Sequence, residues 1–339
     1  MIPRPQSLSR HYRPLPGATS AAPAIPIPAW LRRAVPDAQG LAGKDVEDVA
    51  LIAGAAIGAL DATVRRQERW AGAWRQRLAL AAAVATARQA GRHEDDTALR
   101  DAVLLTKPGD DVGPAGRMLV AWRRLAEMPV EKLLTEASIG AVLEEFGHAP
   151  DEEAVGDLAD EFRRLSAGAT VGTLTGAFAA AKRHGFERTF GCWLADLLLA
   201  RRLGWAYATP LLGAEVALGL PDPGRSRRST IAIAAAGIEN EGTGAKSLLA
   251  AQARAALRAI DLSAELGRRS ERLLAVAPKL RARASDLVVE RLLSEDAIVA
   301  SEKIAGMSDR GLRRLFDRLV NLSAVRELSG RPTFRIYGL

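Results

Sequence analysis

With 339 residues and a formal net charge of +7, the chain is long enough for two or three domains. Hydrophobic residues make up 48% of it and aromatic residues only 5%, and alanine and leucine dominate, which predicts a mainly α fold of closely packed helices. The single cysteine excludes an internal disulfide and indicates a reducing, cytoplasmic setting, and the longest apolar run near the N-terminus, residues 49–60, is too short to span a membrane.

The positive charge is concentrated at the two ends of the chain. Residues 225–339 carry a net charge of +8 and residues 1–33 carry +5, whereas residues 34–224 carry −6. A strongly basic end is typical of a region that meets a polyanion such as nucleic acid.

The N-terminal part of the chain is predicted to be a flexible arm followed by an all-α domain. Residues 1–40 are rich in proline and small residues and cannot bury enough surface to order themselves. Over residues 41–220, apolar residues recur every three or four positions, which predicts successive helices. Trp70 and Trp74 lie one turn apart and are interpreted as core anchors rather than as a ligand cage. Further helices are predicted over residues 118–127, 130–146, 151–166, 171–182 and 187–203.

An acid-dense segment, residues 91–117, contains residue types that hard metals and acid–base catalysis use. They are His93, Glu94, Asp95, Asp96, Asp101, Asp110 and Asp111. Their spacing matches no metal-ligand pattern. Asp95 and Asp96 stand where a helix N-terminus favours negative charge, and residues 107–111 have the composition of a turn. We therefore expect helix caps and turns here rather than a metal or an active site.

Two other patterns could suggest an enzyme. Cys192 has His184 nearby, but it stands in an apolar helical segment, which favours inert packing over nucleophilic chemistry. Gly237 and Gly242 resemble part of a phosphate-binding loop, but Thr243 occupies the position where that loop requires lysine. No catalytic motif and no cofactor site are therefore predicted.

A linker and a long basic helix are predicted over residues 221–284. The linker begins with the turn-rich sequence PDPGRSRRS at residues 221–229, and residues 246–274 have the pattern of one long helix or a bent pair. Pro278 ends that pattern, and a basic hinge follows at residues 279–283.

Residues 285–339 have the pattern of a winged helix-turn-helix. The turn at residues 305–307 contains the glycine that a tight corner between two helices commonly uses. The next segment predicts a helix capped by Ser308. Its apolar residues recur at spacings of three and four and predict a buried face formed by Leu312, Leu315, Phe316, Leu319 and Val320. The outward face then carries Arg310, Arg313 and Asp317 and, further round, Arg314, Arg318 and Asn321, and is basic on balance.

A β-hairpin after this helix is predicted to form the wing. Residues 324–329 and 333–337 alternate apolar and polar side chains on either side of a short turn. Pro332 cannot donate to a sheet, so it belongs in the turn or at the start of a strand. Arg326, Arg331 and Arg335 give the hairpin a positive charge, and phosphates are their natural contacts.

Several stretches together resemble an uncharacterised bacterial family, domain of unknown function 1403. They are WAGAWRQRLAL, GRHEDDTALRDA, PGDDVGPAGR, CWLADLLLARRLGW, APKLRARASD and the C-terminal tail. The resemblance implies a bacterial cytosolic protein and no particular activity. The tail, MSDRGLRRLFDRLVNLSAVRELSGRPTFRIYGL, also resembles the winged helix behind the catalytic domain of many Fic-family proteins. Because the Fic signature His-Pro-Phe…Gly-Asn-Gly-Arg is absent from the sequence, the resemblance implies no AMP transfer.

The leading hypothesis is a DNA-binding protein, a transcriptional or replicon-associated regulator, whose C-terminal winged helix contacts double-stranded DNA. Arg310 and Arg313 would reach base edges, Arg314 and Arg318 bases or phosphates, and the three hairpin arginines the backbone. A homodimer is a further expectation, since paired winged helices contact paired half-sites. The alternative is a non-enzymatic scaffold whose winged helix docks onto protein.

Overall fold

The structure, a computed structural model, describes residues 27–37, 40–41, 43–107, 109–215, 236–280, 284–331 and 333–339, with residues 236–243 described by their backbone alone. The predicted proline-rich arm up to residue 26, the basic linker at residues 221–229, most of the predicted hinge and Pro332 lie outside the described residues.

The described chain is mainly α-helical, as predicted. Its α-helices are α1 (Ala29–Ala34), α2 (Val46–Arg65), α3 (Ala71–Gln89), α4 (Asp96–Leu104), α5 (Gly113–Glu127), α6 (Val130–Leu133), α7 (Glu136–Glu145), α8 (Glu152–Ser166), α9 (Thr170–Arg183), α10 (Arg188–Leu203), α11 (Ala236–Val276), α12 (Ser285–Ser294) and α13 (Asp309–Asn321). Its strands are β1 (Ile298–Val299), β2 (Arg326–Glu327) and β3 (Ile336–Gly338). Single 3-10 turns lie at Leu212–Ala214 and Ala277–Lys279.

Helices α1 to α11 form the larger part of the structure, which we call the body. Within it α2 pairs along α11, and α3 packs against α11. Fully buried alanines line both partners, among them Ala56 on α2 and Ala253 on α11, so the two backbones approach closely. Trp70 and Trp74 are buried against α11, where their indole N–H groups donate to the carbonyl oxygens of Ser263 (3.2 Å) and Ala259 (2.8 Å). Their predicted role as core anchors is confirmed.

Two helix predictions need correction or refinement. The segment at residues 130–146 forms two helices instead of one, because the Thr135 side chain accepts from Ser138 N and caps a new helix at Glu136. The long helix predicted over residues 246–274 is one continuous helix, α11, that begins ten residues earlier and is followed by the 3-10 turn containing Pro278.

Residues 285–339, which we call the C-terminal unit, form two helices and a three-stranded antiparallel sheet with the strand order β1-β3-β2. Ile298 pairs with Tyr337, and Arg326 pairs with Gly338. The helix-helix corner predicted before Ser308 is wrong, because the segment in front of it forms β1 and turns. Ile298 and Val299 are both buried, and their backbones find partners in β3 instead of in a helix.

Gly72 sets how closely the C-terminal unit approaches the body. A Cβ at this position on α3 would lie 2.9 Å from the Cα of Ser294 and closer still to its carbonyl oxygen, at the end of α12. We expect Gly72→Ala to lower the free energy of unfolding by about 1–3 kcal/mol, because backbone atoms cannot give way as a flexible side chain does.

Gly54→Ala on α2 is the matched control, because a Cβ there meets nothing within 4 Å. It should raise stability by up to about 1 kcal/mol through helix propensity alone. Chemical denaturation of both variants decides the point, and equal changes at the two positions would contradict the close approach of α3 to α12.

Candidate nucleic-acid interface

Helix α13 is built as its sequence predicts at its start and along most of its buried side. The Ser308 hydroxyl accepts from Gly311 N at 3.1 Å, the predicted cap. Leu312, Leu315, Phe316 and Leu319 are buried. Phe316 also stacks on Tyr337 of β3 with ring centroids 4.3 Å apart. Val320 was predicted to share this face but is 37% exposed, because it lies beyond the edge of the stripe that meets the sheet.

The opposite side of α13 carries four exposed arginines together with the exposed Asp317, and we call this surface the α13 basic face. Arg310, Arg313 and Arg314 are exposed and make no ion pair with any described residue. Arg318 is exposed as well, and its guanidinium donates to the carbonyl oxygen of Lys279 at 3.2 Å. The side chains of the first three arginines are therefore available to an external acceptor.

The hairpin arginines differ in their surroundings. Arg331 forms an ion pair of 2.5 Å with Asp101 of α4, whose side chain is 10% exposed. Arg335 lies 3.9 Å from Glu327, and its hydrogen bond with Tyr337 raises the pKa of its guanidinium. Arg326 on β2 is exposed and has no carboxylate partner among the described residues. The tip of the hairpin is thus held against α4, whereas the Arg326 guanidinium at its base has no carboxylate partner among the described residues.

The position of the C-terminal unit on the body depends on Asp296, which lies in the three-residue segment between α12 and β1. Its fully buried carboxylate accepts from Arg77 of α3 and, at 2.6 Å, from Nε of Arg100 of α4. Its backbone N–H donates to the Gln76 side chain at 2.9 Å. Although burial opposes ionisation, the charges of Arg77 and Arg100 hold the pKa of Asp296 below its ordinary value.

Sequence reasoning missed this three-residue cluster. The signal available in the sequence was weak, because Asp296 follows Ser294 and Glu295 and looks like part of a short polar connection between Leu293 and Ile298. Such a carboxylate is buried only with partners, but its two arginines lie 219 and 196 positions away along the chain, where no local pattern identifies them.

The capping contacts predicted in the acid-dense segment are present. The Asp95 carboxylate accepts from Ala98 N at 2.8 Å and caps α4, and Asp111 accepts from Gly113 N at 3.0 Å at the start of α5. Asp96 forms an ion pair of 3.0 Å with Arg100. In the part of the chain that the structure describes, no group of three or more potential ligands could hold a metal ion.

Cys192 is packed inside the core, and its predicted burial in an apolar helix is confirmed. Its side chain is buried in α10, and burial, with Asp196 nearby, raises the pKa of the thiol to about 12. The His184 ring lies 3.2 Å from the Glu161 carboxylate instead of meeting the thiol. A thiolate nucleophile is therefore disfavoured at this position.

The fold defines a class of mainly α-helical proteins that carry a small helix-and-sheet unit at their C-terminal end. The chain belongs to the family described as protein of unknown function (DUF1403), whose model matches residues 18–339. No curated protein matches the chain. The family membership inferred from the quoted stretches is confirmed, and the resemblance of the tail to Fic-family proteins stays a prediction.

Among the helices that the structure describes, none combines the length and the apolar composition that a membrane span requires.

Replacing Asp296 should be among the most destabilising single changes. Asp296→Asn keeps the shape of the side chain but leaves Arg77 and Arg100, 17% and 5% exposed, without their shared negative charge. We expect a loss of about 3–5 kcal/mol at neutral pH. Because the folded pKa is lowered, this loss should begin to shrink as pH falls below about 4, where Asp296 of the unfolded chain becomes protonated, and should disappear below the folded pKa, where folded wild-type Asp296 is protonated too.

The control for this variant is Asp261→Asn, which removes an exposed pair with Arg32 and should cost at most about 1 kcal/mol. Urea denaturation at several pH values measures both effects. A loss at Asp296 no larger than that at Asp261 would show that the buried cluster does not anchor the C-terminal unit.

The ion pair between Arg331 and Asp101 leads to a separate prediction about stability. Arg331→Ala leaves the Asp101 carboxylate largely buried without its partner, so we expect the free energy of unfolding to fall by about 1–3 kcal/mol. Arg335→Ala on the same hairpin, whose carboxylate neighbour lies 3.9 Å away, should change stability little. Thermal unfolding compares the two, and an unchanged midpoint for Arg331→Ala would contradict a hairpin tip held by this pair.

Proposed function

We propose that this protein binds double-stranded DNA through its C-terminal unit, which acts as a winged helix, and that it serves as a transcriptional or replicon-associated regulator. In this proposal α13 enters the major groove and the hairpin between β2 and β3 contacts the flanking backbone. The topology of α12, β1, α13 and the hairpin supports it. The segment between β1 and α13 lacks the helix that a helix-turn-helix has, so the orientation of α13 comes from the sheet instead.

The observation that carries the proposal is the α13 basic face. Arg310, Arg313 and Arg314 project from a helix whose other side is fixed by four buried apolar residues and by the stacking of Phe316 on Tyr337. A rigid helix with unpaired guanidinium groups is well suited to base edges, because arginine forms two parallel hydrogen bonds with guanine.

The role proposed for each arginine follows from its position on α13 or on the hairpin. Arg310 and Arg313 lie in the first two turns of α13 and would reach base edges, while Arg314 and Arg318 would contact bases or phosphates. Ser308 would fix the first turn. Arg326 has no carboxylate partner among the described residues and would contact a backbone phosphate, whereas Arg335 and Arg331 would do so alongside their ion pairs with Glu327 and Asp101. A homodimer would place two copies of α13 on paired half-sites.

A second candidate, a docking module for another protein, is favoured by exposed apolar side chains on the same unit. Leu287 of α12 is 48% exposed, and Val320 and Leu322 at the end of α13 are 37% and 46% exposed. Apolar residues at these exposures suit a protein partner better than a phosphate backbone. This candidate predicts that the α13 arginines can be replaced without loss of binding to the partner.

The test is the binding of the full chain and its Arg313→Ala variant to a DNA site selected from random duplexes, and to random DNA, over a series of salt concentrations. We expect the variant to lose about 1–3 kcal/mol on the selected site and much less on random DNA, because specificity depends on hydrogen bonds to base edges. Arg164→Ala on α8, an exposed arginine without an ion pair to a described residue, is the matched control and should bind like the wild type.

Two results would contradict the proposal. If the wild-type chain selects no sequence and its binding does not weaken with salt, the protein does not bind DNA specifically through charge. If Arg313→Ala lowers affinity equally for the selected site and for random DNA, Arg313 contacts the backbone and the base-reading role fails.

A further inference from the structure

Helix α2 packs on the body with one side and carries a largely exposed stripe on the other. It packs mainly against α11 and α1. The residues of the exposed stripe are spaced alternately by four and three positions, which places them along one side of a helix. We call it the α2 stripe, and it consists of Glu47, Leu51, Gly54, Gly58, Asp61 and Arg65. Leu51 is 72% exposed, more than any other large apolar side chain that the structure describes.

The two glycines in the middle of the stripe are not required by the fold of a single chain. A Cβ at Gly54 or Gly58 would meet nothing within 4 Å, and neither residue has the positive φ that favours glycine. Glycine inside a helix is unfavourable relative to alanine, because it loses more backbone freedom on folding. What glycine does allow is the close approach of another backbone. The α2 stripe therefore has the shape of a face against which a second helix packs closely.

The order of the residues along the stripe makes it complementary to itself. If two copies of α2 run antiparallel with position 56 on the two-fold axis, Gly54 of one copy faces Gly58 of the other. The same register places Glu47 opposite Arg65, once at each end of the pair. A parallel pair would instead place Glu47 beside Glu47 and Arg65 beside Arg65. The antiparallel arrangement is therefore the one in which both the shape and the charges of the stripe match.

The charges at the two ends of the stripe are available for such a contact. Glu47 and its neighbour Asp48 are exposed and form no ion pair with a described residue. At the other end the Arg65 side chain is 57% exposed. Its guanidinium donates to the Asp61 carboxylate at 2.8 Å and to the carbonyl oxygen of Leu203 at 2.7 Å. These two bonds hold the Arg65 guanidinium in place, and its remaining N–H groups can donate to a carboxylate of another chain.

We propose that the α2 stripe is the interface of a homodimer, in which α2 packs antiparallel against α2 of a second copy of the chain. A second copy fits because α2, when reversed, presents a basic end to the acidic start of the stripe and an acidic start to its basic end. Residues 61 and 62 of the second copy would cover Leu51. The inference goes beyond the proposed function, since it assigns the surface through which two chains associate and holds whether or not the protein binds DNA.

The first experiment measures the mass of the full chain by sedimentation equilibrium, without DNA, over a series of protein concentrations. We expect the wild type to change from monomer to dimer as its concentration rises, because a single helix face makes a small interface. Glu47→Arg and Arg65→Glu should each raise the dissociation constant by about tenfold or more, because each variant alone brings like charges together at both ends of the pair.

Mixing the two variants restores opposite charges at both ends, so the mixture should dimerise like the wild type. Glu153→Arg is the matched control for Glu47→Arg, because Glu153 is an exposed residue in the first turn of α8 without an ion pair to a described residue. It should leave the dissociation constant unchanged. A wild type that stays monomeric at every concentration, or a mixture that dimerises no better than its components, would overturn the proposed interface.

A second experiment tests the register and keeps both charged residues. The variants Gly54→Cys and Gly58→Cys are oxidised mildly, each alone and mixed, while Cys192 stays buried. A disulfide requires two Cα atoms within about 7 Å, which opposed positions of closely packed helices satisfy. Two copies of position 54 are displaced by about a further 6 Å along the helix axis. We therefore expect a disulfide-linked dimer in the mixture and little in either variant alone. Equal yields in all three samples, or none, would overturn the antiparallel pairing.

Discussion

The structure depends most on the buried contact of Asp296 with Arg77 and Arg100. One carboxylate between α12 and β1 joins two helices of the body. Removing the carboxylate, or the arginines that pair with it, would leave the opposite charge buried without its partner. An apolar contact could slide, but these hydrogen bonds fix distance and direction. The C-terminal unit therefore has one position on the body, and the directions in which α13 and its arginines point follow from it.

That fixed position explains how a basic surface and an acidic body coexist in one chain. The acid-dense segment lies next to the hairpin, but its carboxylates are used locally, as caps of α4 and α5 and as partners of Arg100 and Arg331. Arg310, Arg313 and Arg314 remain without acidic partners among the described residues. Part of the positive charge counted over the last third of the chain is therefore displayed on the exposed side of α13.

Local patterns predicted what local interactions decide. The stripe from Leu312 to Leu319, the Ser308 cap and the tryptophans of α3 follow from helical periodicity and capping chemistry, which act within one or two turns. The pairing of Ile298 with Tyr337 and the partners of Asp296 could not be predicted, because they join residues far apart in the sequence and β1 is only two residues long. The exposure of Val320 also depends on where the sheet ends, and the periodicity of the helix does not predict that position.

The central claim is that α13 presents its arginines to a particular DNA sequence. The most direct measurement is genome-wide sequencing of the DNA recovered with the intact protein from cells that produce it. The account predicts a small set of enriched sites that share a consensus, lost when Arg310 and Arg313 are both replaced by alanine. Recovery of DNA in proportion to the input, with no shared sequence, would contradict it.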